Sequence, residues 1–342
     1  MLLFREAIQP LDAQAVHARA PVADLHAHPA LNAYYLRRDL GRRHRGPRKW
    51  SPILTQQIDL PRAREGGLRL LTNCAYAPTV LPVGAFRAAL GSFRVIEELC
   101  ARNPGLAQIA RRGEVSAVLA SGRLAVIHAA EGGHHLERSL DKLEELARRG
   151  LRYLTLTHFV HNGLAQPAAL PVFRYLRGKP GLTELGRKVV RRCEELSVLV
   201  DVSHCSDKSF ADVAGMATMP LIATHTGFRK FAAVERAITD EQAKEIARSG
   251  GMLGVITWDF LLGGRKARLE QMADAIVHAA LVMGPRHVGI GSDFDGWVHS
   301  VEGIRDARQY PALTAQLAGR GFDEAEIRGI LGGNYLRILG EP

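Results

Sequence analysis

Histidines in this sequence stand at the ends of apolar runs, where they could bind a metal ion. His26 and His28 are two residues apart, so on a strand both rings point the same way and can bind one divalent cation that prefers nitrogen. His204 and His225 end two later apolar runs. A chain with 14 histidines contains an H-x-H pair by chance, and a surface or packed histidine explains any single one. The repetition favours a metal site, and neutral imidazoles suit zinc better than calcium or magnesium.

A glutamate between the two histidine pairs could join two metal ions. Glu131 precedes Gly132 and Gly133, which allow a sharp turn and a close approach of other groups. Its two oxygens could bridge two cations about 3.5–4 Å apart, the spacing of two-metal hydrolases. The alternative is a glutamate at a helix N-terminus, stabilised by the helix dipole. We favour the bridge because of the neighbouring histidines.

The elements that must position these residues are repeated βα units. From residue 21 onward, runs rich in Val, Ile, Leu and Thr alternate with amphipathic stretches of helical period. The predicted strands span residues 22–26, 68–75, 124–129, 151–157, 198–203, 221–224, 252–257 and 287–292. Ionisable residues cluster where these strands end, as in a parallel barrel. We predict an α/β protein, a (β/α)8 TIM barrel, with an open doubly wound sheet as the alternative.

The chain length fits one barrel with additions. Such a barrel needs about 250 residues, and the chain has 342. We predict a single domain over residues 1–342, with an N-terminal extension at 1–20 and an insertion at 29–67 after the first strand. Predicted helices span 86–103, 136–149, 183–196 and 240–248, the third opening with a capping Thr183.

Composition argues against several classes of protein. The 46% hydrophobic and 23% charged residues are typical of a globular chain. Four cysteines without a CxxC pair indicate neither a disulfide framework nor a thiolate zinc site. The start lacks the pattern of a secretory signal, and no run reaches the roughly 18 apolar residues of a membrane span. We therefore expect a cytoplasmic protein that does not bind membranes.

The most basic stretch lies at residues 37–49, in a chain with a net charge of +10. Such a stretch can bind a polyanion, but its aromatic content is low and short basic motifs often mislead. A solvated loop is the preferred interpretation, and a loop over the barrel mouth is another. We expect no nucleic-acid partner.

A series of short motifs runs through the chain in a fixed order. They are DLH at 24–26, DLPR at 59–62, EGG at 65–67, EGG at 131–133, LTH at 156–158, DVSH at 201–204, TH at 224–225, RAITD at 236–240, GSDFDG at 291–296 and GGNYLR at 332–337. Each motif is unspecific, but the ordered set resembles the membrane (renal) dipeptidases, peptidase family M19, which are metal-dependent barrels of the amidohydrolase type.

The resemblance implies two zinc ions bridged by Glu131. His26 and Glu131 would bind one zinc, and Glu131, His204 and His225 the other. Most members of the family have H-x-D where this chain has His28, so a neutral ligand replaces an anionic one. We include His28 among the metal ligands. By Coulomb reasoning the first metal is held less tightly and its bound water is more acidic.

The resemblance also implies catalytic and substrate-binding roles. Asp293 is similar to the general acid/base, His158 to the group that polarises the scissile carbonyl, and Arg236 to the anchor for a terminal carboxylate. Asp295 could replace Asp293, and His161 could compete with His158. We prefer Asp293 because it directly follows the last predicted strand.

Other polar residues near the motifs receive lesser roles. We predict that Asp24 orients His26 as a partner outside the metal ligands. His128, His134 and His135 surround Glu131 and are interpreted as supporting or surface groups. Cys205 follows His204 but matches no ligand position.

The function implied by the resemblance is zinc-dependent hydrolysis of a dipeptide that carries a free C-terminal carboxylate, with a D-residue as an option. A hydroxide between two zinc ions is a nucleophile at neutral pH because coordination lowers the pKa of water towards about 7. The alternatives are another amidohydrolase reaction, on a lactam, lactone or N-acyl amino acid, and a non-catalytic basic barrel that contains metal and binds an acidic partner. The family often forms dimers, and a homodimer stays open.

Overall fold

The computed structural model describes residues 11–46, 55–78, 84–111 and 113–340. Within these ranges, nine parallel strands form one sheet. The strands are β1 (Ala23–Ala27), β2 (Leu70–Ala75), β3 (Leu106–Gln108), β4 (Leu124–Glu131), β5 (Leu151–Thr155), β6 (Leu199–Asp201), β7 (Ile222–Thr226), β8 (Met252–Val255) and β9 (Val288–Ile290).

Eight of these strands close into a barrel. The neighbours run in the order β1, β2, β4, β5, β6, β7, β8 and β9. The circle closes just beyond β9, where the backbone N–H of Asp293 donates to the carbonyl of His26 and that of His28 donates to the carbonyl of Phe294, both at 2.8 Å. The predicted (β/α)8 barrel is therefore confirmed, and the open sheet is excluded.

The ninth strand, β3, was not predicted. It pairs only with β4, outside the closed circle. A strand of three residues is too short to show the alternation of apolar and polar residues that identifies a strand in a sequence. Only the pairing with β4 identifies β3 as a strand.

Helices occupy most of the connections between strands. They are α1 (Ala13–Arg19), α2 (Pro29–Leu36), α3 (Leu60–Glu65), α4 (Ala85–Arg102), α5 (Glu114–Ala120), α6 (Leu140–Arg148), α7 (Glu184–Glu195), α8 (Asp207–Ala214), α9 (Asp240–Arg248), α10 (Leu269–Met283), α11 (Tyr310–Ala318), α12 (Glu324–Arg328) and α13 (Asn334–Leu339). The Thr183 side chain accepts the N–H of Gly186 at 3.0 Å, so the predicted cap of α7 is confirmed.

The predicted helix at 136–149 begins later than expected. A short 3₁₀ turn covers Gly133–Leu136, and α6 starts only at Leu140. Between them, Glu137 and Arg138 have φ angles of 45° and 65°, which an α-helix cannot accommodate. The apolar period of the sequence continues through this break and hides it.

Side chains of β4 alternate between two apolar clusters, because successive residues of a strand face opposite sides. Ala125, Ile127 and Ala129 pack in one cluster with residues of the other barrel strands, whereas Val126 and Ala130 pack in the larger cluster, which contains residues of most of the helices. Glu131 continues the first series. The glutamate therefore ends its strand pointing into the mouth of the barrel.

The described part of the basic stretch lies outside the barrel strands. Residues 47–49 of the basic stretch 37–49 lie outside the described ranges, and within the described part Arg43 pairs with Glu65 and Arg42 with Asp39. In the described ranges, none of the helices combines the length and apolar character needed to cross a lipid bilayer.

Candidate metal centre and substrate chamber

The predicted site residues are all buried and meet at the mouth of the barrel. They lie at or after the carboxyl ends of six strands. Two of these strands, β1 and β7, contribute two residues each. The residues are His26 and His28 at β1, Glu131 at β4, His158 after β5, His204 after β6, His225 and Arg236 at and after β7, and Asp293 after β9.

The Glu131 carboxylate lies between the two histidine pairs. Its Oε1 is 3.1 Å from the Nε2 atoms of both His204 and His225. The same oxygen is 3.6 Å from Nε2 of His26, and Oε2 is 3.5 Å from Nε2 of His28. Within each pair the two Nε2 atoms are also close, at 3.1 Å for His26 and His28 and 2.9 Å for His204 and His225.

Hydrogen bonds at Nδ1 show which ring nitrogens carry the protons. Nδ1 of His28 is 3.0 Å from the carbonyl oxygen of Cys74, which can only accept. The Thr224 hydroxyl donates to Asp201, so it accepts from Nδ1 of both His26 (3.1 Å) and His225 (2.9 Å). In the neutral form of these three rings the Nε2 atom is therefore left with a lone pair, an assignment that follows from the bonding network.

This arrangement suits metal cations. Nε2 lone pairs and carboxylate oxygens face one another, and such acceptors repel unless a cation lies between them. Burial lowers the pKa of His26, His204 and His225 well below the usual range, so these rings stay neutral and available as ligands. Burial also raises the pKa of Glu131 to about 8, and a bound cation would offset the cost of its charge. Nitrogen with carboxylate oxygen is a donor set that zinc accepts.

Two additional side chains approach the donor atoms. The Cys74 sulfur lies within 4.8 Å of the ligand nitrogens of His26 and His28, and an Asp201 oxygen lies equally close to those of His26 and His225. Burial raises the pKa of the Cys74 thiol well above its usual range, which keeps it protonated while no cation is bound. The Asp201 carboxylate is occupied by protein hydrogen bonds. We therefore do not include these two residues among the expected metal ligands.

A hydrogen-bonded support for the ligands was missed from the sequence. Oδ2 of Asp201 accepts from the hydroxyls of Thr155 (2.6 Å) and Thr224 (2.7 Å). Tyr153 is 2.9 Å from Nδ1 of His26 and donates to a backbone carbonyl at 2.8 Å. Asp201 and Thr224 belong to the sequence motifs, but their role depends on contacts between neighbouring strands. Metal ligands held in this way keep their tautomer and orientation.

We expect Thr224→Val to weaken zinc binding about 10- to 100-fold, because two ligand rings lose the acceptor that fixes their tautomer. Valine preserves the shape of the side chain. The measurement is a zinc titration against a competing chelating dye. Thr155→Val is the matched control, since its hydroxyl donates to the same carboxylate but bonds to neither ring. Equal losses in the two variants would contradict the assigned role.

Asp24 does not hydrogen-bond to the imidazole ring of His26, so the prediction that it orients this ring is wrong. Oδ1 of Asp24 accepts the backbone N–H of His26 at 3.2 Å. Its other oxygen accepts from the hydroxyls of Ser292 (2.5 Å) and Tyr310 (2.7 Å). The carboxylate therefore fixes the closure between β1 and β9, while Thr224 and Tyr153 hold the imidazole.

The choice between the two aspartates after β9 is supported by their surroundings. Oδ1 of Asp293 is 3.2 Å from Nε2 of His28, and the side chain lines the chamber above the centre. Asp295 instead accepts hydrogen bonds from the backbone N–H of Gln57 (2.7 Å) and the side-chain amide of Gln56 (2.6 Å). These two bonds attach the segment before α3 to the end of the barrel. A Cβ at Gly296 would overlap the Asp293 carboxylate. Glycine at this position therefore allows the carboxylate to take its place.

The remaining histidines lie away from the donor atoms. His161 accepts the N–H of Gly163 at 3.2 Å, whereas His158 approaches Glu131 Oε1 at 3.7 Å, which favours His158 over His161. His128, His134 and His135 are buried in ring stacks or backbone hydrogen bonds. Cys205 is buried and, among the described residues, belongs to none of the donor groups.

The Arg236 guanidinium is buried beside the second histidine pair. One nitrogen, Nη2, donates to the carbonyl of His225 at 2.8 Å and lies 3.1 Å from Nε2 of His204. The Nε atom has no hydrogen-bond partner among the described residues. Burial lowers the pKa of Arg236 to about 10, so the group remains a cation at neutral pH. A fork of this kind matches a carboxylate.

A chamber of about 550 Å³ opens above these residues. This volume is in the range of small-molecule sites. Its charged and imidazole groups are those of the centre together with His299, and much of the remaining wall is aromatic. The aromatic residues are Tyr76, Phe159, Phe173, Trp258, Phe260 and Trp297.

A closed parallel barrel with imidazoles and carboxylates converging at the carboxyl ends of its strands is a (β/α)8 barrel of the metal-dependent hydrolase type. The profile of one family, described as membrane dipeptidase (peptidase family M19), matches residues 11–342. The chain belongs to this family.

Individual relatives agree with this assignment. Dipeptidase 3 of Mus musculus is 30% identical over 285 residues, which cover 83% of this chain and 57% of the relative. The chain thus spans little more than half the length of this curated relative. A solved metallopeptidase, dipeptidase AC, is 29% identical with a TM-score of 0.81, covering 94% of this chain and 98% of its own. A metallopeptidase from Rhodobacter sphaeroides, solved with a phosphinate mimic of L-Ala-D-Ala, is 26% identical with a TM-score of 0.81 over 94% and 99% of the chains.

Proposed function

We propose that this protein is a zinc-dependent dipeptidase that hydrolyses the amide bond of dipeptides with a free C-terminal carboxylate. One observation carries the proposal: the Glu131 carboxylate lies between two pairs of histidines, all with Nε2 within 3.6 Å of its oxygens. The family assignment and the names of the relatives support the choice of dipeptides. Two zinc ions, joined by Glu131, are the cofactor we propose.

Zinc at this centre would supply a water acidified towards hydroxide and would polarise the substrate carbonyl. The protein supplies the remaining groups. Asp293 can accept a proton from the attacking water and return it to the leaving amine. His158, close to Glu131 at the chamber wall, can donate to the oxygen on which negative charge develops. The cationic Arg236 binds the terminal carboxylate and thereby aligns the amide.

We extend the proposal to dipeptides with a D-residue on the carboxyl side. The support is the ligand of the Rhodobacter sphaeroides relative, which mimics L-Ala-D-Ala. The test is a panel of paired L,L and L,D dipeptides assayed with the zinc-loaded protein by release of free amine. Hydrolysis of at least one pair is expected, and inertness towards every dipeptide would refute the proposed function.

A second candidate is hydrolysis of N-acyl amino acids. Among the described residues that line the chamber, the only carboxylates are Glu131 and Asp293, and both have other roles in the proposal. With His28 in place of an acid, the described lining offers no further carboxylate that is free to bind a substrate ammonium group. Adding N-acetylated amino acids to the same panel separates the two functions, since faster cleavage of these than of any dipeptide would favour the second.

We expect Arg236→Ala to lower kcat/KM about 10- to 100-fold for dipeptides with a free carboxylate. The reason is the loss of charge-assisted hydrogen bonds worth about 1.5–3 kcal/mol. The C-terminally amidated form of the same dipeptide lacks the negative charge and should lose much less. Kinetics on the free and amidated substrates measure the difference. Equal losses on both would show that Arg236 does not bind the carboxylate.

A further inference from the structure

We propose that Tyr76 and Trp297 form a subsite that selects dipeptides with a large apolar or aromatic side chain on the amino-terminal residue. The inference rests on the proposed function, because it takes Arg236 as the anchor for the carboxylate at the other end. It goes further by naming the substrate class and the two residues that determine it.

The position of the subsite follows from the order of the strands around the barrel. Tyr76 follows β2 and Trp297 follows β9, so with β1 they occupy one side of the mouth. His204 after β6 and Arg236 after β7 occupy the opposite side. A dipeptide whose carboxylate binds Arg236 and whose amide reaches Glu131 must extend its amino-terminal residue towards Tyr76 and Trp297.

Ring contacts show that the two residues form one surface. The Tyr76 and Trp297 rings are 5.9 Å apart and nearly perpendicular, at 79°. The centre of the Tyr76 ring is also 5.9 Å from that of His28 and 5.3 Å from that of His158, so this surface reaches the edge of the candidate metal centre. Both residues line the chamber. The parts of these rings that line the chamber can make edge-to-face or offset-stacked contacts with an aromatic side chain of the substrate.

The chemistry of this wall favours apolar groups. Its chamber-lining neighbours after Trp297 are Val298 and His299, and the carboxylates of the described lining lie at the centre itself. The Trp297 Nε1 atom is buried and has no hydrogen-bond partner among the described residues. It can donate to an acceptor on the substrate, which gives an otherwise apolar subsite one directional contact.

A second aromatic wall lies on the carboxyl side. Phe159 and Phe173 stack with their ring centres 5.2 Å apart, and Phe159 is 5.0 Å from His204, the ring next to Arg236. This wall therefore contacts the carboxyl-terminal residue of the dipeptide.

His158 contacts both Tyr76 and Phe159. Trp297 after β9 and Phe173 after β5 nevertheless lie on opposite sides of the barrel, so variants of these two residues can test the two ends of the substrate separately.

The experiment compares two substrate series with the zinc-loaded protein. In X-Ala the amino-terminal residue is Gly, Leu, Phe or Lys, and in Ala-X the carboxyl-terminal residue changes in the same way. We expect kcat/KM for Phe-Ala to exceed that for Gly-Ala and Lys-Ala by about tenfold or more, since a buried aromatic ring contributes more than a single methylene. Trp297→Leu should remove most of this preference.

Two further variants make the result decisive. Phe173→Leu is the control on the opposite wall and should leave the X-Ala ranking unchanged while altering the Ala-X ranking. Tyr76→Leu is a second test of the subsite, in case Trp297→Leu is unstable, and zinc content with thermal melting checks the integrity of all three.

Equal kcat/KM values for all X-Ala dipeptides in an active enzyme would refute the subsite but not the proposed function. The same conclusion would follow if the X-Ala preference were unchanged in both Trp297→Leu and Tyr76→Leu. Inactivity towards all dipeptides would overturn the proposed function, and the subsite with it.

Discussion

Removal of metal is expected to abolish dipeptide hydrolysis, with a loss of at least about 10³-fold, because no protein group replaces the acidified water at neutral pH. Four histidines and Glu131 then face one another without a cation. Stepwise addition of zinc to the depleted protein should restore the rate, with full recovery near two equivalents per chain. Metal analysis alongside the assay measures both quantities.

Thermal unfolding provides a control that does not depend on turnover. Zinc binds the folded centre and stabilises it by mass action, so the depleted protein should melt at a lower temperature and recover with zinc. Recovery of stability without any hydrolysis would point to the alternative of a barrel that contains metal but is not catalytic. Full activity in a preparation free of metal would refute the metal-dependent mechanism.

The second large effect is expected from Asp293→Asn, which should lower kcat by about 10²- to 10⁴-fold, the usual contribution of a general acid/base. Asparagine keeps the size of the side chain but cannot accept and return a proton. The Oδ1 atom of Asp293 is 3.2 Å from Nε2 of His28, but Asp293 is not among the proposed zinc ligands. Zinc content should therefore stay close to that of the unaltered protein. Steady-state kinetics and metal analysis test both statements.

Asp295→Asn is the matched control for this variant. Asp295 lies two residues away and is fully buried, but its oxygens accept hydrogen bonds from residues 56–58 rather than facing the chamber. We expect this change to lower the melting temperature and to leave kcat of the folded protein largely intact. If Asp295→Asn abolished turnover and Asp293→Asn did not, the roles of the two aspartates would be reversed.

The barrel and the meeting of the ligands could be predicted from sequence because both depend on local patterns. Each strand is an apolar run, and each run ends at a polar residue, as in LTH at 156–158 and TH at 224–225. A parallel barrel brings all such ends to one mouth, so His204 and Glu131 meet although 73 positions separate them.

The parts that could not be predicted depend on contacts between strands. The hydroxyl of Thr224 serves two histidines and one aspartate at once, which only the register of neighbouring strands determines. Asp24 precedes His26 by two residues, yet from His26 its carboxylate accepts only the backbone N–H, and it otherwise bonds to residues 292 and 310. The aromatic walls were also missed, because Tyr76, Phe159 and Trp297 come from three separate loops.

Anomalous scattering at the zinc absorption edge, from a crystal grown with zinc, would show directly whether a paired metal centre forms around Glu131. We predict two peaks at the barrel mouth on either side of Glu131, one next to His26 and His28 and the other next to His204 and His225. The absence of bound zinc among these side chains, or ions bound elsewhere while the five residues lie apart, would contradict it.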